Sequence, residues 1–214
     1  MIYLLSPTPQ EETTALPMIA FTLLDEVLET AKYDLLMFTS KQAVMSAELL
    51  NPKWKEVPCL AIGKATAKQI EALGGTVAYH PKSFYGEALA LDIVNYFKEK
   101  KILYIRPKEV SFDSRAFLEK AGIELDEKVI YETTCQGYEK RDRPQKGAII
   151  IFTSPSTIHC FLKNFDWDES YTAIVIGEAT KVHLPKQVKV FVANTPLISS
   201  CIAKAKEVLT ANKL

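Results

Sequence analysis

Two short turns rich in hydroxyl and small side chains occur twice in this 214-residue chain. Phe38-Thr39-Ser40 is followed by Ile62-Gly63-Lys64-Ala65-Thr66, and Phe152-Thr153-Ser154 by Ile176-Gly177-Glu178-Ala179-Thr180. The copies lie 114 residues apart and keep the same internal gap, which marks a duplicated structural unit rather than coincidence. Ser or Thr just ahead of a helix caps its exposed amides. Glycine lets backbone approach a ligand closely, and a helix N-terminus offers unsatisfied N–H groups to carboxylates or phosphates. A single Gly-x-Ala-Thr turn says little; four such turns facing one cleft would receive an anion.

Charge divides unevenly between the copies. Lys41, Lys64 and Lys82 follow strands in the first copy, where the second has Pro155, Glu178 and Pro196. A cation in the first turn of a helix opposes the macrodipole, so an anionic ligand is the expected compensation, with Arg106 adding to the patch. Tyr131 lies in an extended stretch, from which a phenol facing the cleft would donate a hydrogen bond to a leaving hydroxyl. His80, before Pro81, has the bland reading of a structural histidine. His159 and Cys160 fall in a helical stretch, and neither a Gly-x-Ser-x-Gly elbow nor a complete phosphate loop occurs, so no nucleophile is identified. Cysteines at 59, 135, 160 and 201 form no C-x-x-C pair and the histidines stand apart, which argues against a metal site.

These residues need elements to position them. Short β-branched runs alternate with longer helical-period segments, the pattern of an α/β protein whose parallel sheets are covered on both faces. Strands are expected near 2–5, 34–39, 58–62, 76–79, 102–106, 148–153, 172–176 and 188–192. Helices are expected near 41–50, 64–73, 84–98, 111–121, 155–163, 178–184 and 196–211. In 84–98 the apolar stripe reads Phe84, Ala88, Leu91, Val94 with Ile93, Tyr96 and Phe97.

Each copy supplies three strand–helix units, and a fourth strand is displaced. Ile102 to Pro107 follows the first copy, while its counterpart, Ile2 to Pro7, lies at the other end of the chain. The expected architecture is therefore two parallel-sheet α/β domains of similar fold joined by a two-stranded antiparallel β connector, with a cleft between them. Residues 1–14 with 146–214 form one domain, 25–127 the other, and 15–24 with 128–136 the connector. Thr8 to Thr14 leaves room for about two helical turns at most, so the helix after the first strand is shortened or missing.

Composition is that of a soluble globular protein, 48% hydrophobic and 24% charged, with no apolar run of the ~20 residues that span a bilayer. Lys plus Arg and Asp plus Glu both total 26, so no overall field recruits nucleic acid or an anionic membrane. Met1 to Ser6 shows no basic segment of a signal peptide, and the cytoplasm is the expected location.

Taken in order, Phe-Thr-Ser-x-x-Ala-Val (38–44), Ile-Gly-x-Ala-Thr-Ala (62–67), Val-Ile-Tyr-Glu-Thr (129–133), Ile-Phe-Thr-Ser-Pro-Ser (151–156) and Ile-Gly-x-Ala-Thr (176–180) resemble the uroporphyrinogen-III synthase family over nearly the whole chain. The resemblance implies two α/β domains with the active site in the cleft between them. It also implies a cofactor-independent cyclisation of hydroxymethylbilane to uroporphyrinogen III, with loss of water and inversion of ring D. Hydroxyl departure leaves an azafulvene, which closes to a spiro intermediate, fragments and recloses with that ring turned over. By the same resemblance Tyr131 assists hydroxyl loss, and Ser40, Thr66, Thr153, Ser154 and Thr180 match cleft positions; Thr39, Gly63, Lys64, Gly177 and Arg106 join them as expected substrate contacts from their own places at the strand ends. Ser83 and Gly86 match a further turn. Where the family often has Arg-Gly or Pro-x-Gly after the fourth strand, this chain reads Arg106-Pro107-Lys108-Glu109. The implied partner is a linear tetrapyrrole, met by a monomer in transient contact with the enzyme that supplies it.

Two other classes compete. A bilobed binding protein for an anionic small molecule would share the cleft and need no Tyr131. A flavodoxin-like or regulator-like module would need a flavin-phosphate turn or an acidic phosphoacceptor pocket, and neither occurs.

Overall fold

The computed structural model describes residues 1–24, 27–83 and 85–211. In chain order the strands and helices are β1 (Ile2–Leu4), β2 (Thr14–Ala15), β3 (Ile19–Leu23), β4 (Leu35–Phe38), α1 (Lys41–Leu50), β5 (Cys59–Ala61), α2 (Lys64–Ala72), β6 (Val77–Tyr79) and α3 (Gly86–Tyr96). There follow β7 (Ile102–Pro107), α4 (Ser114–Lys120), β8 (Leu125–Cys135), β9 (Ile149–Phe152), α5 (Pro155–Asn164), β10 (Thr172–Val175), α6 (Glu178–Lys181), β11 (Val190–Val192) and α7 (Ile198–Ala211). The chain divides into two compact units: unit 1 is Met1–Ala20 with Thr134–Leu214, and unit 2 is Phe21–Thr133.

The sheet of unit 1 has the order β11-β10-β9-β1-β2, with all pairs parallel. The second sheet has the order β3-β8-β7-β4-β5-β6, parallel from β8 to β6. Starting from the strand that carries Phe-Thr-Ser, each copy steps outward one way through two more strands, β5 and β6 or β10 and β11. It then resumes on the other side, with β7 and β8 or with β1 and β2. The equivalence of β1 and β7 holds to the residue: Leu4 pairs with Ile151, and Tyr104 pairs with Met37, which lies 114 positions before Ile151. Strand order therefore reverses between β4 and β7 and again between β9 and β1. The carboxyl ends of strands at such reversals are where open α/β sheets bind ligands.

Alternation along β4 shows how the core is built. Leu36 and Phe38 pack with α1, α2 and Trp54, whereas Leu35 and Met37 pack with α3, α4 and Tyr104. In unit 1, Ile149 and Ile151 meet α7 through Cys201, Ala205 and Val208. Phe152 on the other face meets Phe161 at 5.6 Å between ring centroids, edge to face.

Several expectations are adjusted. The helix after β1 is missing, in line with the short segment available; residues 5–13 make an irregular crossover to β2, with Glu12 at φ 64°. The pairing beside β1 continues past β2, since Leu16 N donates to Leu4 O and Met18 N to Leu5 O. The strand expected from residue 128 begins at Leu125, because Leu125 to Val129 pair parallel with Ile102 to Arg106; the run Asp126-Glu127-Lys128 hides this strand from a hydrophobicity reading. Beside β8, Leu24 N donates to Ile130 O, and past its end Gln136 N donates to Met18 O. Helix α6 spans Glu178–Lys181 rather than 178–184, consistent with Pro185 disfavouring helical backbone at Leu184. The expected stripe of 84–98 is turned: Leu89, Ala90 and Ile93 are buried, while Leu91 and Tyr96 face solvent. Phe84 lies outside the described residues.

Candidate functional site

Ser40 is in extended backbone at the end of β4 and caps α1, its Oγ accepting from Ala43 N at 3.0 Å. Ser154 does the same for α5, accepting from Thr157 N at 3.3 Å within a capping box. At the neighbouring turns Thr66 N donates to Gly63 O and Thr180 N to Gly177 O, so the two copies also match in their backbone bonding. Gly63 and Gly177 have no side chain to cap with, which leaves the first amides of α2 and α6 without a side-chain partner. Lys41 and Lys64 open α1 and α2 and are exposed, as is Lys82.

In unit 2 these hydroxyls are backed by two buried phenols. Tyr131 OH lies 2.9 Å from Ser40 Oγ, and Tyr104 OH lies 2.8 Å from Thr39 Oγ1. The two tyrosines are 3% and 2% exposed and belong to opposite faces of the sheet, as the alternation of Ser40 and Thr39 requires. A β-bulge aims Tyr131: the register with β7 slips after Val129, so that Tyr131 pairs with Pro107 and both Ile130 and Tyr131 enter the same core. Phe21 holds the ring edge to face at 5.8 Å.

Burial sets the direction of these hydrogen bonds. Among the described residues each phenol oxygen has one partner, Thr39 or Ser40. If either phenol accepted, its own proton would be left unpaired in the core, at a cost of about 1–3 kcal/mol. Donation by both phenols, to Thr39 and to Ser40, avoids that cost. Burial raises the pKa of each above the ordinary phenol value of 10.0, and the bond to Ser40 or Thr39 pulls it partly back, so both stay protonated donors at neutral pH.

The other candidate residues are distributed as follows. Thr153, Ser154, Gly177 and Thr180 sit at the carboxyl ends of β9 and β10 in unit 1. Thr39, Ser40, Gly63, Lys64 and Thr66 hold the same places on β4 and β5 in unit 2. Arg106 is engaged within its own unit: Nε lies 3.0 Å from Glu127 Oε1 but off the hydrogen-bonding direction, while one terminal nitrogen donates to Pro107 O and Lys108 O. Its charge is thus already matched. Ser83 is half-buried, and Gly86 opens α3 where an added Cβ would meet Phe112 Cβ at 3.1 Å, so packing alone accounts for that glycine. Gly177 differs: its backbone is extended, with φ −176°, and an added Cβ would meet nothing within 4 Å.

Three features escaped sequence reasoning. Tyr104 reads as one more apolar residue of a buried strand; its signal is that Leu4 holds the same place in the other copy. Cys135 and Cys160 form a disulfide that ties the end of β8 to α5, beside Asn164, which bridges Gln136, Tyr138 and Cys160 by hydrogen bonds. His159 and His183 do not stand apart: their nearest ring nitrogens are 3.1 Å from one another. Among the described residues no group of three or more His, Cys, Asp or Glu is arranged to hold a metal, and no helix is long and apolar enough to cross a membrane.

Repeated parallel α/β units with hydroxyl turns at their strand-order reversals define a class of small-molecule-handling protein. Residues 10–203 match the family described as uroporphyrinogen-III synthase HemD, and the chain belongs to that family. It is 28% identical over 194 residues to a porphyrin biosynthesis protein HemD from Ruminiclostridium josui, a match covering 83% of this chain but only 38% of that relative's length. A crystal structure of uroporphyrinogen-III synthetase from Helicobacter pylori superposes with a TM-score of 0.82 at 28% identity, covering 97% of this chain and 98% of that one. A mutant uroporphyrinogen III synthase from Thermus thermophilus shares the fold, with a TM-score of 0.57 at 12% identity over 98% of each chain.

Proposed function

We propose that this chain is a uroporphyrinogen-III synthase, a cyclising hydro-lyase that converts hydroxymethylbilane to uroporphyrinogen III with loss of water and inversion of ring D. The observation that carries this reading is the pair of matching turn sets, one per unit, at the carboxyl ends of the central strands, in a chain whose family match spans residues 10–203. In this reading β3 and β8 are the antiparallel connector, and the turns of each unit contact the substrate.

The chemistry asks little of side chains. As the terminal C–O bond breaks, electron push from the pyrrole nitrogen forms the exocyclic C=C of an azafulvene, and loss of the pyrrole N–H proton balances the proton the departing oxygen takes up to leave as water. The protein's task is to hold a flexible octacarboxylate so that ring closure occurs at the substituted carbon of the last pyrrole, and positioning of this kind lowers barriers without a nucleophile. Backbone amides at the α1, α2 and α5 N-termini suit the carboxylates. Tyr131 acts through Ser40: the buried phenol donates to Ser40 Oγ, which frees the Ser40 proton for the leaving oxygen, and bonds in series strengthen one another.

The test supplies hydroxymethylbilane from its producing enzyme and resolves the isomers formed. The III isomer is expected in excess over the I isomer, which forms without catalysis. Tight binding with only the I isomer formed would instead identify a binding protein.

A further inference from the structure

One buried difference between the two copies puts a polar atom in place of an apolar side chain at the strand-order reversal. In unit 1 the strand beside Phe-Thr-Ser carries Leu4, fully buried; in unit 2 the same position carries Tyr104, 2% exposed. Among Met37, Leu60 and Leu118 a phenol carries into the core a hydroxyl that leucine lacks and that needs a partner, and that hydroxyl meets Thr39 Oγ1 at 2.8 Å. Capping does not explain Thr39, because Ser40 is the residue that caps α1.

We infer that Tyr104 is a positioning residue that fixes the Thr39 hydroxyl as a hydrogen-bond donor toward a carboxylate of the ligand. Since the Tyr104 phenol donates to Thr39 Oγ1, Thr39 keeps its own proton for another acceptor. The same argument holds for Tyr131 and Ser40, whose oxygen also accepts from Ala43 N. Two consecutive hydroxyls at the end of β4 thus each receive a bond from a phenol, one on each face of the sheet, and each presents a proton at the carboxyl edge. Neither proton can rotate back onto its phenol without orphaning the phenol's proton. Unit 1 has leucine behind Thr153, so the oriented donor belongs to unit 2, the unit that also carries Lys41, Lys64 and Lys82. The inference rests on the proposed reading for the identity of the ligand, a polycarboxylate tetrapyrrole.

The experiment compares wild type, Tyr104→Phe, Thr39→Val and the double variant, using uroporphyrin III as an octacarboxylate probe of affinity and hydroxymethylbilane for kinetics. Tyr104→Phe should raise Kd and KM about 5–10-fold with kcat within about twofold, the size expected for one oriented hydrogen bond. The double variant should be no worse than Thr39→Val alone, because the two residues make one contact. Thr39→Ser, which keeps the hydroxyl, should behave as wild type. Unchanged Kd and KM in Tyr104→Phe, or losses that multiply in the double variant, would overturn the inference. If wild type forms no III isomer yet loses affinity for uroporphyrin III on Tyr104→Phe, the proposed reaction fails and the positioning role stands. If wild type forms the III isomer and Tyr104→Phe changes nothing, the reaction stands and the positioning role fails.

Discussion

Ser40 and Ser154 both follow Phe-Thr and share the same capping duty, yet removing them should not cost the same. Ser154→Ala loses a cap, about 1 kcal/mol. Ser40→Ala loses a cap and also strands the Tyr131 hydroxyl in the core, adding about 1–3 kcal/mol. Urea denaturation should therefore show the larger loss for Ser40→Ala, and equal losses would mean that Tyr131 finds another partner. The sequence made Thr39, Ser40, Thr153 and Ser154 legible because hydroxyls before a helix follow a local rule. Tyr104 was not legible by such a rule, since a tyrosine in Ile-Leu-Tyr-Ile is a normal strand residue. Only comparison with Leu4 across the repeat reveals it, and that comparison needs the strand pairing. Arg106 shows the opposite: its place at a strand end suggested an anion contact, while its true partner, Glu127, comes from a strand that composition concealed.

At the scale of elements, the strand–helix alternation is readable to within a few residues, because parallel strands buried on both faces are short β-branched runs. The parts that were not readable depend on pairing across the chain. The first half of β8 became visible only through its register with β7, and cysteine spacing cannot tell which thiols meet. The Cys135–Cys160 link closes a loop with a sequence separation of 25, which in the chain-entropy picture stabilises the fold by roughly 3–4 kcal/mol. Cys135 is exposed and open to a dithiol, whereas Cys160 is buried. Reduction with dithiothreitol should lower the unfolding temperature by about 6–16 °C, and Cys135→Ser should show the same lower value without reductant. A melting curve indifferent to both would mean that the Asn164 hydrogen bonds alone hold β8 to α5.

For the whole molecule, duplication with circular displacement explains why unit 1 takes its fourth strand from the far end of the chain while unit 2 keeps its own. Both cores bury a thiol: burial pushes Cys59 up to about 12 and Cys201 to about 11, against 9.0 ordinarily, and burial likewise raises Tyr104 and Tyr131 above 10.0. In the folded state these groups keep protons that the unfolded chain releases. Their contribution is therefore complete below pH 9 and is lost as pH rises from 9 toward 11 and 12. The unfolding temperature should fall steadily above pH 9; a flat profile to pH 11 would contradict the burial of these groups.

The most direct measurement compares wild type and Gly177→Ala in the isomer assay with hydroxymethylbilane. Among the described residues beyond its chain neighbours, a Cβ at Gly177 would meet nothing within 4 Å, so an effect on turnover without an effect on melting reports a ligand brought against that turn. Wild type should give predominantly uroporphyrinogen III, and Gly177→Ala should melt normally but lose about tenfold or more in kcat/KM, as expected when a bound ligand is displaced by about 1 Å. Wild type yielding only the I isomer, or Gly177→Ala matching wild type, would contradict a synthase built from both sets of turns.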